Sequence, residues 1–309
     1  MSPAAGIPVP RQRRPGPPGR RPWFPPLLLL FLACQPAEDS WEPGAEAWLL
    51  HGLVLVPAPA GDGAPPLLLG RFEVTAAEFR GGHPRAGAEA LLPATGLSHA
   101  EARAWARQRG LRLPRWEEWA ALAGRSAYPW GEVFRWGHAN TLELGIGEPL
   151  PVGVFESGRS PYGAYDLVGN VWEWLEDVPP LDPHEEERLE LLGSPAVGGL
   201  PRAAAAGGSW AAAVSRGPRG ARGGMLRVWR LEAGTRSGDL GFRVAGEALP
   251  WMLEHGQPLW LRAGEKGRAW IREVFRAWDP GLRRQLARAL EAAGADRAFC
   301  AALREPGRP

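Results

Sequence analysis

The side chains that most often carry redox or metal chemistry are few and scattered in this 309-residue chain. Its two cysteines are Cys34 and Cys300, far apart, and its six histidines form no His-x-His or His-x-x-x-His pair. Copper(I) requires soft thiolate ligands, and non-haem iron centres use clustered imidazoles. We therefore expect no copper and no non-haem iron. Cys300 lies on an apolar helical stripe, which is typical of a buried small hydrophobic residue.

The remaining chemical candidates are a serine, two carboxylates and a group of arginines. Ser209 has no recognisable base nearby, so we interpret it as a structural hydrogen-bonding residue. Glu117 and Glu118 lie on a helix between tryptophans, a pattern typical of solvated or capping carboxylates. Five arginines within fifteen residues follow Trp210: Arg216, Arg219, Arg222, Arg227 and Arg230. With Ser209 and Trp210 they could line a cleft for an acidic ligand, or form a solvated basic loop.

The N-terminus has the pattern of an export signal. Basic residues between positions 11 and 21 precede an apolar run, 27–33, and Cys34 follows at once. A basic region followed by a short apolar region describes a secretory signal, and the run is shorter than the ~20 residues of a spanning helix. The segment before Cys34 resembles a bacterial lipobox, although Phe31 replaces the usual leucine. We expect a leader over 1–34 and a tether over 35–49.

This resemblance implies lipidation at Cys34 and an exported lipoprotein, anchored at the periplasmic or outer-membrane face. Plain secretion, an uncleaved anchor and a disordered cytosolic tail stay open as alternatives. A nucleic-acid partner is not expected, because the net charge is only +2 and the other basic residues are scattered.

Composition and patterning indicate a loop-rich α+β domain. Sixteen tryptophans accompany 41 glycines and 33 prolines, which favours a core of aromatic side chains with short regular elements. Residues 53–57 predict a strand, and residues 67–69 with 72–75 predict a second. Thr75 and Ser98 are predicted N-caps, Ser98 with Glu101 as its capping-box partner. A further helix is expected after Pro114.

Residues 247–309 are predicted to form a small helical extension packed on the main domain. Trp270, Val274 and Trp278 recur at helical spacing. Asp279-Pro280 has the form of an N-cap followed by proline in the first turn. A last short helix is expected from about residue 296 to 304.

Several segments, in order, resemble the formylglycine-generating enzyme (sulfatase-modifying factor) family. The matching segments are Phe-Glu-Val-Thr at 72–75, Arg-Leu-Pro-Arg-Trp-Glu-Glu-Trp at 112–119, Tyr-Pro-Trp-Gly at 128–131, Gly-Ala-Tyr-Asp-Leu-Val-Gly-Asn-Val-Trp-Glu-Trp at 163–174, Gly-Gly-Ser-Trp at 207–210 and Gly-Phe-Arg at 241–243. The resemblance covers residues 50–246. It implies a compact α+β fold related to C-type lectins, which agrees with the composition.

The resemblance also implies a structural calcium site. Carried over one by one, its ligands would be the carboxylates of Asp166 and Glu173 and the carbonyls of Gly169 and Val171. Oxygen ligands of this kind suit calcium. The alternative is that Glu173 and Asn170 bond only to the backbone in a tight turn.

The family's catalytic cysteines have no counterpart. Aligned on the Gly-Gly-Ser-Trp segment, their positions fall near Ala212 and Gly217, and neither side chain can bind copper. The sequence therefore favours a non-catalytic binding or scaffold module whose partner is an unknown protein or polar ligand. A formylglycine-generating oxidoreductase with an altered active site and a different enzyme on the same scaffold stay as the alternatives.

Overall fold

A computed structural model describes residues 41–59, 64–82, 88–123, 126–180, 202–213 and 228–307. Cys34, Gly217 and the arginines at 216, 219 and 222 lie outside these residues. From Trp41 to the C-terminus the chain forms one compact unit. Within the described part, no helix is long and apolar enough to cross a membrane.

The first half of the unit contains short elements joined by long loops. Helix α1 spans Ala45–His51, strands β1 and β2 span Leu53–Val56 and Leu67–Gly70, and helices α2, α3 and α4 span Ala76–Phe79, His99–Arg107 and Trp116–Ala123. Strand β1 matches its prediction. Residues 72–75 form no strand: only Thr75 makes an isolated bridge, to Pro93.

The predicted helix starts are confirmed by their hydrogen bonds. Thr75 and Ser98 each form a complete capping box, with Glu78 and Glu101 respectively. Helix α4 starts differently, because the Glu118 carboxylate accepts the Arg115 N–H at 2.8 Å from inside the helix. Glu118 is therefore a buried capping group, whereas Glu117 is exposed.

Five further strands complete two small sheets. Strands β3 to β7 span Trp172–Trp174, Arg202–Ala206, Val228–Glu232, Leu240–Gly241 and Ala245–Glu247. One described sheet has the antiparallel order β1-β2-β7. It pairs strands from the two ends of residues 50–246, the region that resembles the family. The other has the order β5-β4-β3-β6, with β3 and β6 parallel.

The C-terminal region is helical, as predicted. Helices α5 to α9 span Ala248–Trp251, Gln257–Arg262, Gly264–Arg276, Pro280–Ala292 and Arg297–Arg304. Asp279 and Asp296 cap the last two of them. Residues of β1 and of these helices share one apolar cluster, and the Trp278 indole donates to the Leu53 carbonyl at 3.0 Å. The extension is thus part of the core, and Cys300 is buried in it.

The expected tether ends earlier than the sequence suggested. Residues 45–49 lie in α1, where Ala47 and Leu50 are fully buried. The Trp41 ring also packs 5.5 Å from that of Trp270. The packing of Trp41 and α1 comes from burying this apolar face against the C-terminal helices and not from a capping side chain.

Candidate functional site

Four charged side chains meet in the interior of the unit. They come from separate segments of residues 50–246. Glu73 follows β2, Asp166 and Glu173 come from the 163–174 segment, and Arg243 lies between β6 and β7. Arg243 and Glu173 have no solvent exposure, and the exposed fractions of Glu73 and Asp166 are 1 % and 7 %. Because buried charges require partners, the contacts of these groups decide what the site can do.

Arg243 and Glu173 form a two-pronged ion pair. The Nη2 of Arg243 donates to Glu173 Oε1 at 2.6 Å, and its Nε donates to Oε2. Its remaining donors reach the carbonyls of Gly70 and Tyr165, both at 2.9 Å. The Trp119 indole N–H donates to Glu173 Oε2 at 2.8 Å. Both carboxylate oxygens of Glu173 are therefore occupied.

Asn170 connects the Glu73 carboxylate to the surrounding loops. It has a left-handed backbone, with φ of 56°. Its amide nitrogen donates to Glu73 Oε2 at 2.6 Å, and its amide oxygen accepts the Leu150 N–H at 2.9 Å. A Cβ at the neighbouring Gly169 would lie 2.0 Å from the Asn140 carbonyl oxygen. Glycine is thus required at position 169 because the Asn140 backbone lies too close for any side chain.

Burial and mutual charge interactions shift the pKa values of the groups in this cluster. Burial raises the pKa of Glu73 well above its ordinary value, and Asp166 and Glu173 raise it further. Burial also raises the pKa of Asp166 to about 6, although its hydrogen bond from the Gly153 N–H lowers it. Burial lowers the pKa of Arg243, but its attraction to Glu173 outweighs this and the net shift is upward. Arg243 therefore stays charged and holds the carboxylates together.

The two carboxylates carried over as calcium ligands are engaged by other donors as they are arranged. The Glu173 carboxylate accepts hydrogen bonds from Arg243 and Trp119. The Asp166 carboxylate accepts the Gly153 N–H at 2.6 Å. A divalent cation at this point would face the Arg243 guanidinium. No three His, Cys, Asp or Glu side chains of the described residues are arranged to hold a metal. A calcium ion bound through these groups therefore stays a prediction.

The expected ligand cleft is only partly described. Ser209 is fully buried and donates to Asp239 Oδ2 at 2.8 Å, so its predicted structural role fits these contacts. Its hydroxyl is enclosed among the described residues, and its place beside a cleft stays a prediction. Trp210 is half-buried, and its indole N–H is buried without a hydrogen-bond partner among the described residues.

Ala212 lies next to this serine. Its N–H donates to the Ser209 carbonyl at 2.9 Å, and its own carbonyl accepts the Leu142 N–H at 3.2 Å. At this position the side chain is a methyl group, which can bind neither a metal nor oxygen. The nearest described hydroxyl, that of Ser209, donates to the Asp239 carboxylate but is fully buried.

Sequence reasoning missed Glu73, Trp119 and Arg243 as parts of one site. Arg243 is separated from Glu173 by 70 residues, so no local spacing links them. A usable signal was present, because Arg243 is a charge between Phe242 and Val244, in a segment that is otherwise apolar. A charge in such a position implies a buried partner.

Residues 65–248 match the family model described as a sulfatase-modifying factor enzyme 1-like domain. This match spans more than half of the chain, and the fold and the motifs agree with it. The chain therefore belongs to the sulfatase-modifying factor family, with the α+β fold of formylglycine-generating enzymes.

Relatives in this family differ in what they are named for. Over 97 residues the chain is 41 % identical to the inactive C-alpha-formylglycine-generating enzyme 2 of Bos taurus, covering 27 % of this chain and 32 % of that protein. It is 32 % identical over 133 residues to the hercynine oxygenase of Mycolicibacterium thermoresistibile, covering 40 % and 30 %. It is 33 % identical over 119 residues to the formylglycine-generating enzyme of Streptomyces coelicolor, covering 30 % and 37 %. The chain thus spans about a third of the length of these relatives.

Solved structures give more distant likenesses. Variable protein 1 of Treponema denticola has a TM-score of 0.44 and 18 % identity, covering 63 % of this chain and 91 % of that one. PvdO from Pseudomonas aeruginosa has a TM-score of 0.43 and 22 % identity, covering 63 % and 90 %.

Proposed function

We propose that this chain is a non-catalytic member of the family that acts outside the cytoplasm as a binding or scaffold module. The observation that carries the proposal is Ala212, next to the buried Ser209, where the family's chemistry requires a thiolate. No cysteine occurs between residues 35 and 299, so no other thiolate of the matched domain can replace it. The name of the bovine relative, an inactive enzyme, is consistent with this proposal.

The alternative is a formylglycine-generating oxidoreductase with an altered site. Its chemistry would need copper(I), which thiolates bind and which alanine and glycine side chains cannot. A copper(I) titration of the chain from residue 41, with a colorimetric chelator as competitor, separates the two. The proposal expects the chelator to hold all the copper. Stoichiometric copper retained by the protein, and retained also by a Cys300→Ser variant, would favour the oxidoreductase.

The ligand proposed for the module is acidic or polar. Arg216, Arg219 and Arg222 follow Trp210 in the sequence, and their guanidinium groups suit carboxylates and phosphates.

Export with a lipid anchor at Cys34 is part of the same proposal. Its support is the basic and apolar pattern of residues 11–33 and the small residue before the cysteine. Intact-mass analysis of the chain from a bacterial membrane fraction tests it: the N-terminus should be a lipid-modified Cys34, and a Cys34→Ser variant should leave the membrane. An unmodified Cys34 would contradict the anchor.

A further inference from the structure

A cavity of about 370 Å³ lies between the start of α1 and the end of α6. It is lined by residues from 41–47 and from 259–263, and its volume is within the range of small-molecule sites, roughly 300–1,000 Å³. Both segments lie outside residues 65–248, which match the family model. The cavity therefore belongs to the parts of the chain that surround the family domain.

The walls of the cavity are mostly apolar and are fixed by packing. Ala47 is fully buried, and Leu259 and Ala263 are nearly so. The Trp41 ring lies directly against the backbone of α7 at Gly267, where a Cβ would come within 2.6 Å of Trp41 Cε2. These walls do not need a ligand to order them. An apolar group that enters the cavity would be removed from water.

Two opposite charges also line the cavity, and solvent reaches both. Arg262 Nη2 donates to Glu46 Oε2 at 2.6 Å, and the two side chains are 63 % and 52 % exposed. An exposed pair of this kind contributes little stability, so a ligand can separate the two side chains at low cost. A ligand with one charge would pair with one side chain and be repelled by the other. A ligand with both charges on neighbouring groups would pair with both.

The cavity has free space beside Gly44. Apart from the chain neighbours of this glycine, no atom of the described residues lies within 4 Å of the position that a Cβ would take there. Its φ of −71° is one that any residue adopts. A side chain introduced at position 44 would therefore occupy this space without straining the backbone.

We propose that this cavity binds a free α-amino acid with a large apolar side chain. The apolar side chain would lie against Trp41 and Leu259, the carboxylate would pair with Arg262, and the ammonium group would pair with Glu46. The terminus of a peptide carries only one of these two charges on its residue, so it would satisfy only one of the two side chains. The site is separate from the Ser209–Trp210 segment and does not depend on whether the chain is catalytic.

Isothermal titration calorimetry of the full chain at constant ionic strength tests the site. The probes are L-phenylalanine, glycine, N-acetyl-L-phenylalanine and L-phenylalanine amide. We expect saturable binding of L-phenylalanine. Glycine, which has both charges but no side chain, should bind at least about tenfold more weakly. The acetylated and amidated probes each lack one charge, as peptide termini do, and should each bind about tenfold more weakly.

Variants of the two charged residues connect each charge of the ligand to its partner. Arg262→Gln should weaken L-phenylalanine binding about tenfold, and L-phenylalanine should then bind no more tightly than its amide. Glu46→Gln should have an effect of the same size, and L-phenylalanine should then bind no more tightly than its acetylated form. A merely structural role of the ion pair would not produce this separation between the two probes.

Filling the cavity provides an independent test. Gly44→Phe should abolish the binding of L-phenylalanine, whereas Gly44→Ser, which adds only a small side chain at the same position, should bind nearly as the wild type does. Arg80→Gln removes an exposed arginine outside the cavity and should leave the affinity unchanged. A Tm close to that of the wild type without a ligand shows that lost binding in a variant is not misfolding.

Three results would overturn the proposal. The first is no saturable binding of L-phenylalanine by the wild type. The second is an equal affinity for L-phenylalanine in the wild type, Arg262→Gln and Gly44→Phe. The third is binding of the acetylated or the amidated probe as tight as that of L-phenylalanine, which would assign the cavity to a ligand with a single charge, such as a peptide terminus.

Discussion

The surroundings of Arg243 and the segment after Gly208 lie close together and differ in what they retain. Around Arg243, the guanidinium, both Glu173 oxygens and the Asn170 amide all have partners. After Gly208, Ser209 has a partner in Asp239, but Ala212 presents only a methyl group. The buried ion pair and its neighbours are complete, whereas Ala212 offers no group that can bind a metal. We expect the family fold to depend on such buried contacts and not on the side chains that would do chemistry.

The largest effect is expected where the buried Arg243–Glu173 ion pair is broken. Arg243→Met leaves the Glu173 carboxylate buried without its counter-charge, so the free energy of unfolding should fall by about 3–5 kcal/mol. Urea denaturation followed by tryptophan fluorescence measures it. As a control, Arg262→Gln breaks an exposed pair with Glu46 and should cost at most about 1 kcal/mol. Equal losses in the two variants would contradict the importance of the buried pair.

Acid should lower the free energy of unfolding of the unit through protonation of His51. Because burial lowers the pKa of His51 to about 4, against 6.5 in the unfolded chain, the folded protein favours the neutral ring. Its contribution is present above pH 6.5 and is lost as the pH falls from 6.5 to 4, by up to about 3 kcal/mol. Denaturation at several pH values should show a shallower decline in His51→Asn. Parallel curves for the two proteins would refute this role.

Sequence reasoning succeeded where structure is local. The Ser98–Glu101 box and the Asp279 cap each lie within four residues, so the pattern and the structure coincide. It failed for α1, whose helix depends on burying Ala47 and Leu50 rather than on a cap. It also failed for the Glu173–Arg243 pair, because only the folded chain brings those positions together. The resemblance gave the fold, while the long-range contacts gave the arrangement of the site.

A smaller effect is expected at a helix start outside both regions. Ser98→Ala removes the hydroxyl that accepts the Glu101 N–H, so the unit should lose about 1 kcal/mol of stability. Denaturant midpoints measure the change. The Ser98→Asp variant, which keeps an acceptor at the N-cap, should recover most of the loss. If it did not, the capping hydrogen bond would not be the cause.

The smallest effect concerns calcium. If Arg243 is the cation of the buried cluster, EDTA should leave Tm unchanged to within about 1 °C, because no metal supports the frame. Added calcium should also have no effect. A clear fall in Tm with EDTA that calcium reverses would restore the calcium site and place Asp166 and Glu173 among its ligands.

The central claim is that the chain keeps the buried contacts of the family fold but does not carry out the oxidation of a substrate cysteine. Incubating the purified chain with a sulfatase-type cysteine peptide, copper(I) and oxygen, and following the peptide by mass spectrometry, tests this claim most directly. The account predicts that the peptide keeps its cysteine, as in a reaction without the protein. A mass loss at that cysteine that depends on the protein, and increases with its concentration, would contradict the account.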